Sequence, residues 1–403
     1  MSVWLSVIGI GEDGVEGLSG AARELVQSAE LLVGGERHLA MVLESGAERM
    51  AWRQPLVGTL EEIAERSGKR VVVLASGDPL WYGVAGTLAR RFSPEEMLVL
   101  PQPSAFSLAA ARLAWPLEEC VTLSLHARPL ATLRLHLVPG ARVLALTADG
   151  DTPVQVAELL RDAGWGPSAI TVFAHMGGAR ERRIDGTAEH WPLGRIAALN
   201  TLAVECRPGP GARPLSRLAG LPDDAFENDG KLTKRAVRAA VLAALAPLPG
   251  ELLWDIGAGG GSIAIEWLRA SRALSAIAIE RDAARSAMMA RNAAALGVPE
   301  LRIVQGTAPE ALRDLPPPDA VFLGGGVVEP KLFDAAWQAL KPGGRLVANA
   351  ITLEAEMQLL ARHAALGGEL TRLSVSRAEP VGRYHGWRPL MTVTQYAVAK
   401  PKS

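Results

Sequence analysis

The chain has little cysteine, little lysine and almost no net charge. Cys120 and Cys206 are its two cysteines. They are too few for a disulfide framework or a Cys-rich zinc site, and they fit a reducing, cytoplasmic setting. Its 42 Lys+Arg balance 43 Asp+Glu, leaving a formal net charge of −1. That balance argues against a protein that coats polyanions, which would carry a basic patch or a high pI, so no nucleic-acid partner is expected. No uninterrupted apolar run approaches the ~18 residues of a membrane span. Met1–Leu5 has neither a basic nor an apolar leader region, so neither membrane contact nor a signal peptide is expected. Lysine supplies only 7 of the 42 cations. The arginine excess reads first as compositional bias, and second as a stock of side chains suited to carboxylates and phosphates.

What is present is a packed chain. Hydrophobic residues make up 49% and charged residues 21% of 403 positions, too apolar for disorder. At roughly 100–200 residues per domain, two or three domains are expected. Arg207-Pro-Gly-Pro-Gly-Ala-Arg-Pro214 is the densest Pro/Gly stretch and can neither pair as a strand nor continue a helix, so it reads as a domain seam. Domains are placed at 1–207 and 225–403, with 208–224 as linker. Before the seam, strands are predicted at 3–10, 70–75, 97–100, 141–147 and 169–174, and helices at 18–29, 83–91, 104–114 and 153–162. After it the alternation restarts, from a helix at 236–245 to a last strand near 391–399. This spacing predicts α/β architecture with mostly parallel sheets in both halves. The halves share no motif, so two different domains are fused.

In the second half, Leu253-Trp-Asp-Ile-Gly-Ala-Gly-Gly-Gly-Ser262 joins an apolar run to an amphipathic helix. Glycines let the backbone approach a ligand closely, and the helix start offers unpaired N–H groups. The spacing is G-x-G-x-G, not the G-x-G-x-x-G of dinucleotide sites. Asp255 would repel a pyrophosphate but suits a cationic ligand such as the amino group of an amino-acid moiety. Glu280 closes the next strand, placed to accept from two ribose hydroxyls. The bland alternative is a structural turn followed by a surface Glu. Together Asp255, Gly257, Ala258, Gly259, Gly260, Gly261 and Glu280 resemble the S-adenosylmethionine site of the class I, Rossmann-like methyltransferase fold. Phe322-Leu-Gly-Gly-Gly326 lacks the polar tetrad of amino-group methylation and the carboxylates of a metal-assisted enzyme, so no metal is expected. Gly324 and Gly325 instead leave space for a flat substrate.

The resemblance sharpens at Phe226–Arg238, with its Thr-Lys-Arg-x-Val-Arg run. It looks like the segment that opens the decarboxylating precorrin methyltransferases, which implies cofactor contacts at Thr233, Thr307 and Ala308. Ala236 departs from the Glu associated with that family.

The first half carries Val7-Ile-Gly-Ile-Gly-Glu-Asp-Gly14, then Leu74-Ala-Ser-Gly-Asp-Pro-Leu-Trp-Tyr-Gly83 and Pro101-Gln-Pro-Ser-Ala-Phe-Ser107. The set resembles the class III, tetrapyrrole methylase fold, built of two α/β subdomains, with Trp81 in place of the more usual Phe. The resemblance implies a second S-adenosylmethionine site at Gly9, Gly11, Gly77, Asp78, Pro79, Gly83, Ser104 and Ala105. Asp78 also reads as a plain turn residue, and His126 as a structural hydrogen-bonder.

The fusion order resembles the bifunctional C5,15 precorrin methyltransferases of cobalamin (vitamin B12) biosynthesis. That implies methylation of precorrin-6Y (precorrin-6B) at C5 by the first half, and at C15 with decarboxylation of the C12 acetate by the second, giving precorrin-8. A homo-oligomer is expected. A polycarboxylate tetrapyrrole needs cationic clamps, expected at Lys231, Lys234, Arg235, Arg238, Arg383 and Arg388. Trp387 would offer a flat face, and Tyr384 and His385 are candidate proton donors. The alternatives are an RNA methyltransferase with a fused accessory domain that also binds S-adenosylmethionine, and a non-catalytic role for one half.

Overall fold

Short runs such as Val71-Val-Val-Leu74 are apolar at every position, because helices cover both faces of the sheet they enter. Alternate side chains then feed two separate cores: Val71 and Val73 join Leu5 and Val7 on one face, while Val72 and Leu74 join Ile8 and Ile10 on the other. The computed structural model describes residues 3–42, 45–126, 128–192 and 194–402. The chain divides into two compact units, one of residues 1–128 with 138–213 and one of 129–137 with 214–403. The division falls at the Pro/Gly seam. The short 129–137 segment goes with the second unit, where Leu135 packs on Gly297 and the neighbouring core.

The first unit holds two five-stranded sheets. One contains β1 (Leu5–Ile10), β2 (Leu31–Gly34), β3 (Glu48–Ala51), β4 (Val71–Ser76) and β5 (Met97–Leu100), in the order β3-β2-β4-β1-β5, and every pairing is parallel. Helices α1 (Gly20–Ser28), α2 (Glu36–Met41), α3 (Leu56–Ala64) and α4 (Ala85–Leu88) lie in its connections, and α5 (Ala105–Leu113) follows β5. The other sheet contains β6 (Cys120–Ser124), β7 (Arg142–Leu146), β8 (Ala169–Ala174), β9 (Arg182–Thr187) and β10 (Asn200–Glu205), with α6 (Thr152–Asp162) between β7 and β8. Here the expectation of mostly parallel pairing fails. Among the described residues only β6 and β7 run parallel; β7–β10, β10–β8 and β8–β9 are antiparallel. The connection from β8 to β9 is too short for the dozen-residue crossover that a parallel pair requires.

The second unit is built on one seven-stranded sheet, β13-β12-β11-β14-β15-β19-β16. Its strands are β11 (Leu252–Ile256), β12 (Ser275–Glu280), β13 (Arg302–Gln305), β14 (Ala320–Leu323), β15 (Arg345–Ala350), β16 (Glu369–Leu373) and β19 (Val393–Ala399), and β19 runs against both its neighbours. A two-stranded ribbon, β17 (Ser376–Val381) and β18 (Tyr384–Pro389), interrupts the approach to β19. Helices α7 (Arg235–Leu245), α8 (Ser262–Ala270), α9 (Ala283–Ala295), α10 (Pro330–Ala339) and α11 (Leu353–Leu366) complete the unit. The strand order reverses between β11 and β14, the place where open α/β sheets bind ligands beyond their carboxyl ends.

Candidate functional site

At that reversal β11 ends in Asp255 and runs into Gly257–Gly261. Gly257, Gly259 and Gly261 all adopt positive φ, so the loop turns tightly before α8 begins. Asp255 is fully buried. One carboxylate oxygen, Oδ2, accepts the Ala264 amide at 3.0 Å, while Oδ1 is buried without a hydrogen-bond partner. Burial pushes the Asp255 carboxyl up to about 7, with the nearby charge of Glu280 adding to the rise and the Ala264 amide offsetting part of it. An acid in this state is poised for a cation that would satisfy Oδ1. Glu280, at the end of β12, accepts the Gly259 amide at 2.9 Å and the Asp282 amide at 3.1 Å, which holds it across the glycine loop.

These groups open on a cavity of about 440 Å³. Of the cofactor residues expected from sequence, Thr233, Asp255, Gly257, Ala258, Gly259, Gly260, Glu280, Thr307 and Ala308 line it, and so do Gly324 and Gly325. Gly261 does not: a Cβ there would lie 2.4 Å from Met289 Cγ, so that glycine serves loop-on-helix packing. Asn292 is a residue the sequence reading missed. It donates to the carbonyls of Glu227 and Gly260 and accepts the Glu227 amide, tying the segment before α7 to the glycine loop. The partnerless Asp255 oxygen, the narrow glycine loop and the acid on β12 fit an amino-acid head and a ribose, as S-adenosylmethionine carries.

In the first unit the loops after β1, β4 and β5 meet beyond the carboxyl ends of their strands. Backbone stacks directly on backbone there. A Cβ at Gly9 would lie 1.9 Å from the Gly77 carbonyl oxygen, and one at Gly83 would lie 2.3 Å from that of Pro79. The cavity above them measures about 380 Å³ and is lined by Gly11, Gly77, Asp78, Gly83, Ser104 and Ala105. Gly9 and Pro79 sit behind this lining, so their place in the motif is to let the loops touch. Asp78 is also a turn residue, its Oδ1 accepting the Leu80 amide at 2.9 Å. Ser104 caps α5 through the Ser107 amide. Trp81, Tyr82, Phe106 and Phe173 supply an aromatic wall. Sequence reasoning overlooked the polar group on the opposite side, where Glu12, Arg37, His38, Ser76 and His175 converge. Glu12 stands inside the glycine motif, yet His175 lies far away in sequence, and no local pattern joins them.

The comparisons agree with both halves. Residues 5–192 match the family of tetrapyrrole (corrin/porphyrin) methylases, and residues 224–400 match the precorrin methyltransferase domain. The chain is 51% identical over 402 residues to a precorrin-6Y C(5,15)-methyltransferase (decarboxylating) from Sinorhizobium sp, covering 99% of this chain and 97% of the relative. It belongs to the precorrin-6Y C(5,15)-methyltransferase family. Shorter relatives match part of the chain. A cobalt-precorrin-7 C(5)-methyltransferase of Salmonella typhimurium is 31% identical over 179 residues, 44% of this chain and 88% of the relative. A protein of Pyrobaculum calidifontis described as a probable cobalt-precorrin-6B C(15)-methyltransferase (decarboxylating) is 35% identical over 191 residues, 44% of this chain and 96% of the relative. The family is one of S-adenosylmethionine-dependent methyltransferases.

For a member of this family the cationic clamps matter, and the structure revises several of them. Lys231 lines the second cavity, joined by Arg281 and Arg285, which the sequence reading missed. Lys234 stands just before α7 without a capping side-chain bond and Arg235 begins the helix, and neither lines the cavity. Arg238 is not a substrate clamp. Its side chain is 0% exposed, donating to Glu266 at 2.8 Å and to Asp223 at 2.7 Å, so its charge is spent inside the unit. The segment holding Tyr384, His385, Trp387 and Arg388 is one strand of the β17–β18 ribbon. The ribbon pairs Val381 with Tyr384 across a two-residue turn at Gly382 and Arg383. None of these residues lines the cavity. Trp387 is 78% exposed, Arg388 pairs with Glu379 at 2.9 Å, and Arg383 lies over the Tyr384 ring at 5.0 Å. No helix among the described residues is long and apolar enough to cross a membrane.

Proposed function

We propose that the chain carries out two methyl transfers on one polycarboxylate tetrapyrrole, with one S-adenosylmethionine site in each unit. In this reading the first unit methylates C5, and the second methylates C15 and removes the C12 acetate carboxyl as carbon dioxide, converting precorrin-6Y (precorrin-6B) to precorrin-8. The observation that carries it is full-length likeness to a decarboxylating C(5,15)-methyltransferase in a chain holding two separate glycine-loop cavities.

Bound S-adenosylmethionine supplies an electrophilic methyl group on a sulfonium. In the second unit Asp255 would receive the amino group, Glu280 the ribose, and Thr307 and Ala308 the adenine. Lys231 and Arg281 at the cavity would hold substrate carboxylates, whereas Arg285 is already paired with Asp229 at 2.8 Å. Gly324 and Gly325 leave the wall beside the cofactor flat, so a macrocycle can approach edge-on. In the first unit the loops at Gly11, Gly77–Asp78 and Ser104–Ala105 would seat the cofactor against the aromatic wall. Enamine-like ring carbons are themselves nucleophiles, so alignment and dehydration supply most of the acceleration. Cys120 and Cys206, which are not joined in a disulfide, suit a cytoplasmic enzyme; a homo-oligomer is part of the same reading, and light scattering tests it.

The test is incubation of the purified chain with S-adenosylmethionine and precorrin-6Y, followed by product mass and carbon-13 NMR. Two added methyls and one lost carbon dioxide are the expected result. A single methyl would leave one unit without its assigned step, and no mass change with a verified substrate would overturn the reading.

A further inference from the structure

The polar group facing the first cavity is arranged as a supported base. Glu12 follows the first glycines of its loop and is nearly buried, its side chain 9% exposed. Its Oε1 accepts from Arg37 at the start of α2, and its Oε2 accepts from His175 Nδ1 at 2.9 Å. Arg180, from the same turn as His175, stands 3.5 Å from Oε2. These cations keep Glu12 ionised: burial pushes its carboxyl up, but the His175 hydrogen bond and the Arg37 charge outweigh burial and hold it below the usual range. An ionised carboxylate can only accept, so His175 Nδ1 carries a proton, and in the neutral ring the lone pair is on Nε2. His175 lies in the lining of the cavity, immediately after β8.

Two backbone features hold the arrangement. His175 adopts φ 50°, a left-handed conformation that non-glycine residues take up at a cost and that collects at functional sites. Gly178 lets its turn press against Glu12, since a Cβ there would lie 2.8 Å from Glu12 Cβ. His38, the other imidazole in the cavity, is unsuited to gaining a proton. Its Nε2 faces Arg37 at 2.8 Å and Ser76 at 3.0 Å, and burial together with the Arg37 charge pulls it down to about 4.

We propose that His175 is the proton acceptor of the first unit's methyl transfer, with Glu12 as the positioning residue that fixes its tautomer and stabilises its charged form. The inference rests on the reading of this unit as the C5 methylase. Methylating a trigonal bridge carbon exchanges its hydrogen for methyl. The carbon–methyl bond forms as the sulfur–methyl bond breaks, and sulfur keeps that electron pair as a neutral thioether. The bridge carbon then gives its proton to His175 Nε2, and the C–H electrons restore the conjugated ring. The imidazolium, paired with Glu12, releases the proton to water. A carboxylate behind a histidine performs the same two services in hydrolytic triads.

The test uses the full chain with His175→Ala and Glu12→Gln, following C5 and C15 methylation separately. The C15 step, in the other unit, reports that the chain and the substrate are sound, and an unshifted thermal unfolding of the first unit reports that the variant is folded. His175→Ala should slow the C5 step by roughly 10²–10³-fold, within the range of general-base contributions, with partial rescue by added imidazole. Glu12→Gln should move the acid limb of the C5 pH–rate profile to lower pH, because the imidazolium loses its counter-charge. Nitrogen-15 NMR of labelled histidine provides a readout apart from turnover: one imidazole protonated at Nδ1 in the parent chain should lose that tautomeric bias in Glu12→Gln. Wild-type C5 rates in His175→Ala, or an unmoved pH limb and unchanged imidazole signal in Glu12→Gln, would overturn the proposal. Failure of the parent chain to methylate C5 would instead overturn the reading beneath it.

Discussion

Asp255→Asn should weaken cofactor binding and yet improve folding, and the two effects have one cause. The Asp255 carboxyl rises from its ordinary 3.8 to about 7 in the folded chain because it is buried and Oδ1 has no partner. A carboxyl raised on folding stabilises the protein below the unfolded value near 4, and that contribution is lost as pH climbs toward 7. The loss amounts to about 4 kcal/mol between pH 4 and pH 8. Asparagine does not ionise, so the stability difference between variant and parent should swing by that amount in the variant's favour over the same window. Its side-chain oxygen can still accept the Ala264 amide. Its new N–H₂ group lacks a partner, which costs ~1–3 kcal/mol at every pH and leaves the swing intact. Cofactor binding should move the other way. Losing one member of a buried charge pair costs ~2–5 kcal/mol, or roughly 30-fold to several thousandfold in Kd. Urea unfolding of the ligand-free chain at several pH values measures the first effect, and calorimetric titration with S-adenosylmethionine measures the second. Stoichiometry should fall from two sites to one. In the parent, affinity at the second unit should weaken about tenfold per pH unit below 7, as the carboxylate protonates. A stability difference flat with pH, or two intact sites in the variant, would refute the reasoning.

Gly9→Ala places a methyl 1.9 Å from the Gly77 carbonyl, so the loops must separate; thermal unfolding should show the first unit destabilised by ~1–3 kcal/mol or more, with C5 methylation lost and C15 methylation kept. Arg238→Met leaves the buried Glu266 without its ion-pair partner and should cost ~3–5 kcal/mol in urea unfolding, while the KM for tetrapyrrole stays unchanged. A raised KM with normal stability would restore the clamp role rejected above. Lys231→Ala should raise the KM of the C15 step roughly tenfold, as expected for one charged hydrogen bond to a carboxylate. Arg388→Ala, on the ribbon, should leave it unchanged, and equal effects from the two substitutions would show that the ribbon reaches the substrate after all.

What was legible in the sequence was what is local. The glycine loops announce themselves within ten residues, and nearly all their expected positions face a cavity. The exceptions, Gly9, Pro79 and Gly261, have the same spacing but meet neighbouring chain instead of open space, which no motif distinguishes. Strands β9 and β10 were not expected from sequence, β9 being the largely polar Arg-Arg-Ile-Asp-Gly-Thr; without them the antiparallel pairing of β8 was illegible, because an apolar run looks the same in either sense. Arg238 was misread through proximity to the cofactor segment. A signal was available, since it occupies the helical stripe of Val241, Leu242 and Leu245, all buried. An arginine in an apolar stripe needs an internal acid, and Glu266 comes from a different helix. The Glu12–His175 pair, 163 positions apart, is a product of topology alone.

The two units each place an acid beside a glycine loop, and the environments of those acids assign them opposite tasks. Asp255 has an amide on one oxygen, nothing on the other and Glu280 nearby, so burial wins and its carboxyl is held toward the neutral form until a cation arrives. Such a group gains most from an ammonium ligand, because the ligand removes the whole penalty of burial. Glu12 is already compensated: Arg37, Arg180 and His175 surround it, and its carboxyl lies below the usual range. A further positive charge arriving there would meet the two arginines as well as the acid, so little net attraction remains. Glu12 therefore cannot do for the first unit what Asp255 does for the second, although both stand at the carboxyl end of a first strand. If the first cavity holds S-adenosylmethionine as proposed, loop backbone and aromatic wall carry that binding, and Glu12 is left to serve His175. That both acids stand beside glycines says nothing of this division; the partners each acid finds in the fold decide it.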